Sequence, residues 1–561
     1  MDIQRTILWV VFSLSLLLLW DNWMRYSGHQ SMFFPSPAPT QQAEPGAAPA
    51  NGAAPRADVP QATMPATAAP AAVPGTTAPA ASETITITTD RYRAEIDTVG
   101  GEIKRLELLG HRDTVDPNRN VVLLDNTAAR TYVAQTGLIG GPFPNHRSTF
   151  TARPGPRELQ NNELQLVMES TQDGVTVVKT YTFHRDSYVI DVRHDVVNNS
   201  GAPIAPSVYL QIMRDGNKPA GESALYMTFT GPAIYTEAEK FQKIDFDDVA
   251  KGRAKHVTRA DDGWVAMVQH YFVTAFVPPE GVTRENFTRR IDNNLYAVGS
   301  IIPMGTVEPG ATASMDSRLY SGPQESARLV EVAEGLDLVK DYGWLTILAR
   351  PIFWLMDQIH KVLGNWGWTI IALTVLIKLA FFPLSAASYR SMAKMKTVTP
   401  KLQSIRERYK DEPQKMNQAM MELYKTEKIN PLGGCLPILV QIPVFIALYW
   451  VLLASVEMRN APWFWINDLS SPDTLFTIPG VNMPIGALPI IMAITMFIQV
   501  KLNPTPPDPI QAKVMMAMPI VFSVMFFFFP AGLVLYWVVN NILSIAQQWV
   551  ITRKIEAGKP A

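Results

Sequence analysis

Hydrophobic and polar residues follow three different patterns along the chain. A short apolar run covers residues 6–20. From residue 83 to about 335, apolar and polar residues alternate over short stretches such as 175–183, and this period of two predicts β-strands. Long unbroken apolar runs return in the last third of the chain, at 366–382, 432–453, 485–500, 514–529 and 533–551. The pattern predicts a large β-domain placed between apolar helices.

The apolar runs are long enough to be considered as membrane spans. The first run covers about 22 Å as a helix, which also fits the core of a signal peptide. No small-residue cleavage signal follows it, so we predict an uncleaved anchor at residues 1–24 with its N-terminus in the cytoplasm. The predicted fold class is a polytopic α-helical membrane protein with six spans and a large β-sandwich domain.

The first run is separated from the β-domain by a segment of low complexity. Between residues 35 and 82, 28 of 48 residues are proline or alanine. Closely spaced prolines prevent a helix, and few residues are apolar enough to pack. We therefore predict a disordered linker at 25–82, followed by the β-domain at 83–335.

The region after the β-domain divides by polarity. Residues 336–361 carry a polar stripe on one helical face, which predicts an amphipathic helix lying in the membrane interface. The second span is predicted at 362–383 and the remaining four spans at 431–553. Between them, residues 384–430 are predicted to form a basic helical hairpin, with helices at 384–410 and 414–428, and a tail follows at 554–561.

Basic residues are unevenly divided between the loops. Residues 384–430 carry ten Lys or Arg and five acids, whereas residues 456–484 carry one Arg and three acids. Loops rich in Lys and Arg stay in the cytoplasm. This places the hairpin in the cytoplasm and the β-domain in the periplasm. The whole chain has a net charge of -1, so no direct specific recognition of nucleic acid is predicted.

Motifs for catalysis are missing from the sequence. There is no phosphate-binding loop, no His-Glu-x-x-His and no Gly-x-Ser-x-Gly, and the predicted spans contain no His, Asp or Glu. The single cysteine, Cys435, and the absence of histidine after His360 speak against a metal site in the last 201 residues. We predict a protein that is not an enzyme and that needs no cofactor or metal.

One charged residue lies inside a predicted span. Lys378 stands near the thirteenth residue of the second span, with Thr374 one turn earlier. An ionisable residue at this depth is a functional candidate, although a lysine can also extend its ammonium to the membrane surface, and the spacing does not decide between these readings. Polar residues on other spans favour a hydrophilic groove: Gln441, Tyr536, Asn540 and Ser544. The alternative is that they only form hydrogen bonds between helices.

The predicted hairpin combines methionines and lysines. Flexible thioethers adapt to many apolar partners, although they also serve as ordinary gap fillers. We hypothesise that the hairpin receives substrates and contacts ribosomes or targeting factors; the alternative is a solvated basic hairpin that only fixes topology. The candidate residues are Met392, Lys394, Met395, Lys396 and Met420.

Several blocks, spread in order over nearly the whole chain, resemble a known family. They are Gly263-Trp264-Val265-Ala266-Met267, Asn365-Trp366-Gly367-Trp368, Ser391-Met392-Ala393-Lys394-Met395, Asn430-Pro431-Leu432-Gly433-Gly434-Cys435 and Gly532-Leu533-Val534-Leu535-Tyr536-Trp537. Together they resemble the bacterial YidC family of membrane insertases. The resemblance implies a five-span insertase core, a periplasmic β-supersandwich similar to sugar mutarotases, and a location in the bacterial inner membrane.

The same resemblance assigns roles to individual residues. Lys378 takes the place of a positive residue in the family's hydrophilic groove, where Gram-negative relatives usually have Arg, and Trp537 stands where a second Tyr is common. The implied partners are nascent membrane proteins, the lipid bilayer and the Sec translocon. The expected function is insertion of membrane proteins without nucleotide hydrolysis. Two alternatives are a secondary transporter or channel that uses Lys378, and a scaffold whose β-domain organises envelope partners.

Overall fold

The computed structural model describes seven stretches of the chain, which are residues 58–61, 82–219, 228–410, 412–427, 436–478, 483–503 and 509–556. The predicted anchor at 1–24 and most of the predicted linker lie outside these stretches. The Asn430 to Cys435 block and residues 557–561 of the predicted tail lie outside them as well.

The predicted β-domain contains two large antiparallel sheets. Its strands are β1 (Thr84–Thr88), β2 (Tyr92–Asp97), β3 (Glu102–Arg112), β4 (Asn120–Asn126), β5 (Thr131–Ile139), β6 (Thr151–Ala152), β7 (Glu163–Gln172), β8 (Val175–His184), β9 (Val189–Asn198), β10 (Ser207–Asp215), β11 (Gly231–Thr236), β12 (Lys240–Lys243), β13 (Arg259–Ala260), β14 (Trp264–Gln269), β15 (Phe272–Val277), β16 (Arg284–Asp292), β17 (Leu295–Pro303) and β18 (Thr312–Pro323). The first sheet has the order β1-β2-β3-β4-β5-β10-β17-β16-β13, and the second has the order β12-β11-β14-β15-β18-β9-β8-β7-β6. The predicted β-sandwich is thereby confirmed.

Alternating side chains build the core between the two sheets. Along β8, every second side chain from Val175 to Phe183 is buried and the residues between them are partly exposed. Buried residues of both sheets form one cluster, to which Ile103 of the first sheet and Val177 of the second belong. A direct hydrogen bond also joins the sheets, because the Tyr132 hydroxyl donates to the carbonyl of Met267 at 3.1 Å.

The block that begins at Gly263 has a structural role in this domain. Gly263 has a φ of 81°, and a Cβ atom there would lie 1.8 Å from the carbonyl oxygen of Tyr235, so only glycine fits. The turn places the Trp264 ring in a stack on Tyr235, with 5.7 Å between ring centres. The indole of Trp264 donates to the carbonyl of Glu334 at 3.0 Å. This block therefore fastens the end of the β-domain to its sheet.

The rest of the described chain is mainly helical. Two short helices belong to the β-domain region, α1 (Phe246–Ala250) and α2 (Ser326–Val332), and the others follow it: α3 (Thr346–Leu363), α4 (Trp366–Ala380), α5 (Phe382–Arg408), α6 (Pro413–Thr426), α7 (Leu436–Ala454), α8 (Ala487–Leu502), α9 (Pro509–Phe526) and α10 (Ala531–Glu556). A short strand pair, β19 (Phe476–Ile478) and β20 (Met483–Ile485), precedes α8. Large apolar side chains such as Ile494, Ile520 and Ile542 point outward from these helices, as expected for helices that face lipid.

Helix length and composition support some of the predicted spans individually. Among the described residues, the segment Ala531–Lys554 is long and apolar enough to cross a membrane alone. The segments Trp366–Ala380 and Phe382–Met395 meet the same criterion together, with a bend of 66° between them. Three further helices are apolar but shorter, at Val440–Ala454, Ala487–Leu502 and Lys513–Phe526. The count of six spans remains a prediction.

The bend between α4 and α5 follows from Pro383. Proline has no N–H, and its ring collides with the carbonyl four residues earlier if a helix continues straight through it. Proline is tolerated in the first turn of a new helix, and Pro383 has that position in α5. The second predicted span therefore continues into the hairpin as a bent helix pair.

The predicted interfacial helix corresponds to α3, which follows two 3₁₀ turns. Its polar residues are engaged in local contacts: Lys361 pairs with Asp357 at 2.8 Å, and Arg350 pairs with Asp337 at 3.0 Å. Ile347 is 86% exposed on the same helix. Such exposure of a large apolar side chain is consistent with a helix at a membrane surface, which stays a prediction.

The hairpin consists of α5, which ends at Arg408, and α6, which begins at Pro413. A small apolar cluster joins the two helices, with Val398 and Leu402 at its centre. An ion pair between Lys401 and Glu427, 2.5 Å long, adds to the contact. The two predicted helices are thus present, whereas their cytoplasmic location remains a prediction.

Residues 58–61 of the predicted linker contact the β-domain, which its composition did not predict. Asp58 accepts hydrogen bonds from Arg147, and Val59 packs against a small apolar cluster on the first sheet. Composition missed this segment because its attachment depends on one carboxylate and on arginines far away in sequence. The remaining linker residues up to residue 81 lie outside the described stretches.

Candidate functional site

A cavity of about 330 Å³ with several polar side chains in its lining lies among helices α4, α5, α7, α8 and α10. Its lining includes Lys378 from α4, Gln441 from α7, and Tyr536, Asn540 and Ser544 from α10. With Trp537, which also lines the cavity, six of the residues predicted to form a groove therefore meet in one place. The residues that line the described cavity include no Asp, Glu or His.

Lys378 is half-buried at this cavity. Its ammonium donates a hydrogen bond to the Ser544 hydroxyl at 2.7 Å. That hydroxyl in turn donates to the carbonyl of Asn540 at 2.7 Å, one turn earlier on α10. The lysine is thus held by a neutral partner, which leaves its positive charge uncompensated by any carboxylate of the cavity lining.

The polar face of α10 is formed by residues at a spacing of four. Asn540 accepts a hydrogen bond from the side-chain amide of Gln441 at 3.0 Å, which links α10 to α7. Gln548, two turns further along, donates instead to Asn503 at 3.1 Å. The polar face of α10 therefore has both of the roles considered for it. Its middle lines the cavity, and its end forms a hydrogen bond to another helix.

Aromatic residues form one wall of the cavity. The rings of Phe445 and Trp537 meet edge to face, with 4.4 Å between their centres. Phe445 also stacks on Tyr536 at 6.0 Å. Trp537, which was a candidate through the family resemblance, thus contributes apolar surface beside the polar side chains.

Thr374 lies apart from the candidate groove residues. It is 1% exposed and does not belong to the cavity lining. Its hydroxyl donates to the carbonyl of Ile370 at 2.6 Å, within its own helix. The spacing of four places Thr374 on the same face of α4 as Lys378. The cavity, however, does not extend one turn along the helix from Lys378 to Thr374.

Sequence reasoning missed three cavity residues at the start of α5, namely Ser385, Ser388 and Tyr389. Their spacing of three and four puts them on one helical face, so a signal was present. It was overlooked because the second span was taken to end at Pro383. The bend instead turns the first two turns of α5 toward the cavity.

The candidate hairpin residues have three different environments. Met392 belongs to the cavity lining rather than to the hairpin contact. Met395 and Met420 pack on the apolar cluster between α5 and α6. Lys394 is exposed, and the side chain of Lys396 lies outside the described part of the structure.

The described residues offer hydrogen-bonding and apolar groups at this cavity. They contain no group of three or more His, Cys, Asp or Glu side chains that could hold a metal ion. The cavity offers one ammonium, several amides and hydroxyls, and an aromatic wall. Such a set can hold a polar or negatively charged chain segment beside an apolar one.

The fold and the cavity define a protein of apolar membrane helices with a polar site among them and an attached β-sandwich. A sequence model of the YidC periplasmic domain matches residues 84–355, and one of the 60Kd inner membrane protein matches residues 358–558. The chain is 66% identical to the membrane protein insertase YidC of Janthinobacterium sp. (strain Marseille), covering 99% of both chains. It is 64% identical to that of Herminiimonas arsenicoxydans, covering 100% of both. The chain belongs to the YidC family of membrane protein insertases.

A solved structure is also similar. It is described as an active YidC insertase with the first transmembrane domain resolved, and it matches 82% of this chain and 91% of its own, at 17% identity and a TM-score of 0.38. Family membership makes the function of this chain the insertion of membrane proteins. It is an inner-membrane protein with a periplasmic β-domain, and it acts on nascent membrane proteins in a lipid bilayer.

Proposed function

We propose that the cavity around Lys378 is a hydrophilic groove that captures the polar external segment of a nascent membrane protein. The segment enters the groove, and the apolar segment beside it leaves sideways into lipid. Transfer of apolar surface drives the reaction, and the membrane potential adds about 2.3 kcal/mol per charge per 100 mV. No nucleotide takes part.

The observation that carries this proposal is the charge of Lys378, which has no carboxylate beside it among the described residues of the cavity lining. Placing an ammonium among apolar helices costs about 2.5 to 3.5 kcal/mol on insertion scales, so it is not retained without a use. Lys378 has Ser544 as its hydrogen-bond partner, and no carboxylate lines the cavity. A polar or acidic substrate segment supplies the missing counterpart. This favours capture over the reading in which the lysine only reaches for the membrane surface.

The arrangement of the cavity walls supports two kinds of contact at once. Gln441 and Asn540 are amides that can exchange their mutual hydrogen bond for bonds to a polar chain. On another wall, Phe445 and Met496 offer apolar surface. A segment that changes from polar to apolar therefore finds matching partners within about 330 Å³.

The membrane topology belongs to the same proposal. Six spans, of which the last five form the insertase core, place the N-terminus in the cytoplasm and the β-domain in the periplasm. The distribution of Lys and Arg supports this orientation, since residues 384–430 carry ten of them and residues 456–484 carry one. The groove residues of α5 then lie on the cytoplasmic side, where a nascent chain arrives.

The hairpin is the proposed receiving element. Met392 lines the cavity while Met395, one turn further along α5, belongs to the hairpin contact, so the same helix connects the two regions. Ribosomes and targeting factors are the proposed partners on this side. Cooperation with the Sec translocon is proposed for substrates with large external domains, because the groove is too small for a folded one.

Reconstitution of the purified protein alone in liposomes tests the mechanism. A single-span substrate should insert without nucleotide. The paired change Gln441→Leu with Asn540→Leu replaces a polar wall by apolar side chains and should lower insertion about tenfold, since the polar segment then loses its partners. Ile542 lies on the exposed face of α10, so the Ile542→Leu variant is the control and should insert the substrate normally. Normal insertion by the Leu pair would rule out a hydrophilic groove.

A further inference from the structure

Residues 58–61, within the Pro/Ala-rich segment, lie on the first sheet of the β-domain. The Asp58 carboxylate accepts a hydrogen bond from Nε of Arg147 at 2.8 Å and a second one from the other end of the same guanidinium. Nε2 of His146 lies 3.2 Å from the same carboxylate. A carboxylate held at both oxygens by one guanidinium is a strong and geometrically specific contact.

The backbone of this segment is bound as well. The guanidinium of Arg289 donates to the carbonyls of Asp58 and Val59, at 2.7 and 3.0 Å. The buried amide of Gln211 also donates to the Asp58 carbonyl, at 3.0 Å. One arginine thus binds two successive carbonyls, which fixes the backbone of this turn on the domain.

Apolar contacts complete the site. Val59 packs against a cluster around Ile139, Tyr209 and Ile301 on the outer face of the first sheet. Pro60 is buried, while Gln61 is exposed. The site therefore recognises an acidic residue, a small apolar residue and proline in that order.

We propose that this surface is a binding site for the chain's own Asp58-Val59-Pro60 segment, here called the linker clamp. The clamp fixes the linker to the periplasmic domain well before β1 begins at Thr84. Residues 58–60 are thereby a fixed point within the predicted linker. The β-domain is thereby tied to its N-terminal segment at a point remote from its first strand.

Trypsin tests the clamp on the full-length protein without changing the linker. Arg56 is the only Lys or Arg between Arg25 and Arg91, and it lies two residues before Asp58. Cleavage of a site held next to a bound segment tracks the population of the released state. Arg289→Ala removes two backbone hydrogen bonds of the clamp and should raise cleavage after Arg56 about tenfold.

Arg153→Ala is the matched control, because Arg153 pairs with Glu169 on an exposed part of the same domain. It should leave cleavage after Arg56 unchanged. Equal cleavage in the wild type and in Arg289→Ala, with the other tryptic sites still protected, would overturn the clamp. If Arg289→Ala exposes sites throughout the β-domain, thiol labelling decides instead.

For labelling, Cys435→Ser provides a background without cysteine. A maleimide should react about tenfold more slowly with Val59→Cys than with Gln61→Cys, because the first position is packed and the second is exposed. Asp58 lies outside the sandwich, so its substitution leaves the sandwich folded. Adding Asp58→Ala should therefore remove the difference in labelling rate between the two positions. Equal rates before Asp58→Ala is added would refute the clamp.

Discussion

The charge of Lys378 is the feature that a mutation can test most directly. We expect Lys378→Arg to keep activity, Lys378→Ala to insert acidic substrates poorly, and Lys378→Glu to insert them worst. A carboxylate 4 Å from an ammonium gains about 4 kcal/mol at an effective dielectric constant of 20 and about 1 kcal/mol in water. Lys378 is half-buried beside a cavity of about 330 Å³. We therefore expect its attraction to a substrate carboxylate to be about 1.5 to 2 kcal/mol, which corresponds to a factor of about 10 to 30 in the insertion rate.

The assay compares two test substrates in liposomes. They share one apolar span and differ only in their translocated tails, which carry either Asp and Glu or the matching amides. Lys378→Ala should slow the acidic tail about tenfold and the amide tail less than about twofold, because only the first tail uses the charge. Lys361→Ala is the control, since Lys361 is an exposed lysine on α3 that pairs with Asp357.

The two readings of the lysine predict different results. A lysine that only anchors the helix at the membrane surface would give Ala and Glu variants with similar, mild defects for both tails, because many other basic residues still set the orientation. Equal insertion of both tails by these two variants would refute capture by charge. Ser544→Ala separates charge from position: it removes the hydrogen-bond partner but keeps the ammonium, so preference for the acidic tail should persist.

Three further predictions concern other parts of the chain. Leu402→Asp should lower insertion severalfold, because it buries a carboxylate in the hairpin cluster, whereas exposed Gln403→Asp should not; equal activity would refute a receiving role that needs the intact hairpin. Deleting residues 35–56, which spares the clamp, should leave insertion largely intact, and its loss in a protein that still accumulates would mean that these residues bind something. Burial raises the pKa of the Glu102 carboxyl to about 7. The folded β-domain therefore keeps a proton on Glu102 that the unfolded chain has lost, so the stability of the domain falls as pH rises from about 4.5 to 7. In thermal unfolding, Glu102→Gln should reduce this dependence of stability on pH. Glu239→Gln, at an exposed position, should leave it unchanged.

Much of the architecture follows from periodicity alone. The alternation of apolar and polar residues at 175–183 predicted β8 almost residue by residue. The spacing of four residues between Tyr536, Asn540 and Ser544 predicted one polar face of α10. These predictions succeeded because one buried face fixes which positions must be apolar. The order of the nine strands in each sheet did not follow, since strand pairing joins residues far apart in sequence, such as β10 and β17.

The missed features share a physical cause. The residues Ser385, Ser388 and Tyr389 reach the cavity only because the chain bends by 66° before them, and no periodicity reports the direction of a bend. Asp58 binds Arg147, which is 89 residues away. In both cases the decisive contact is tertiary. The region around Asp58 has few apolar residues of its own, yet a short segment of it attaches to a core formed elsewhere.

Two fully buried lysines, Lys340 and Lys179, show why Lys378 differs from a structural charge. Lys340 is fully buried, and its ammonium lies 2.8 Å from both carboxylate oxygens of Glu457. Lys179, in the β-domain core, donates to the carbonyls of Gly100 and Thr136, at 2.8 and 3.2 Å. Where the fold uses a lysine for its own stability, it provides two strong acceptors, because a buried charge without them is costly. At Lys378 the cavity provides one hydroxyl and open space. This difference supports the proposed groove, in which the substrate supplies the acceptors that complete the coordination of Lys378.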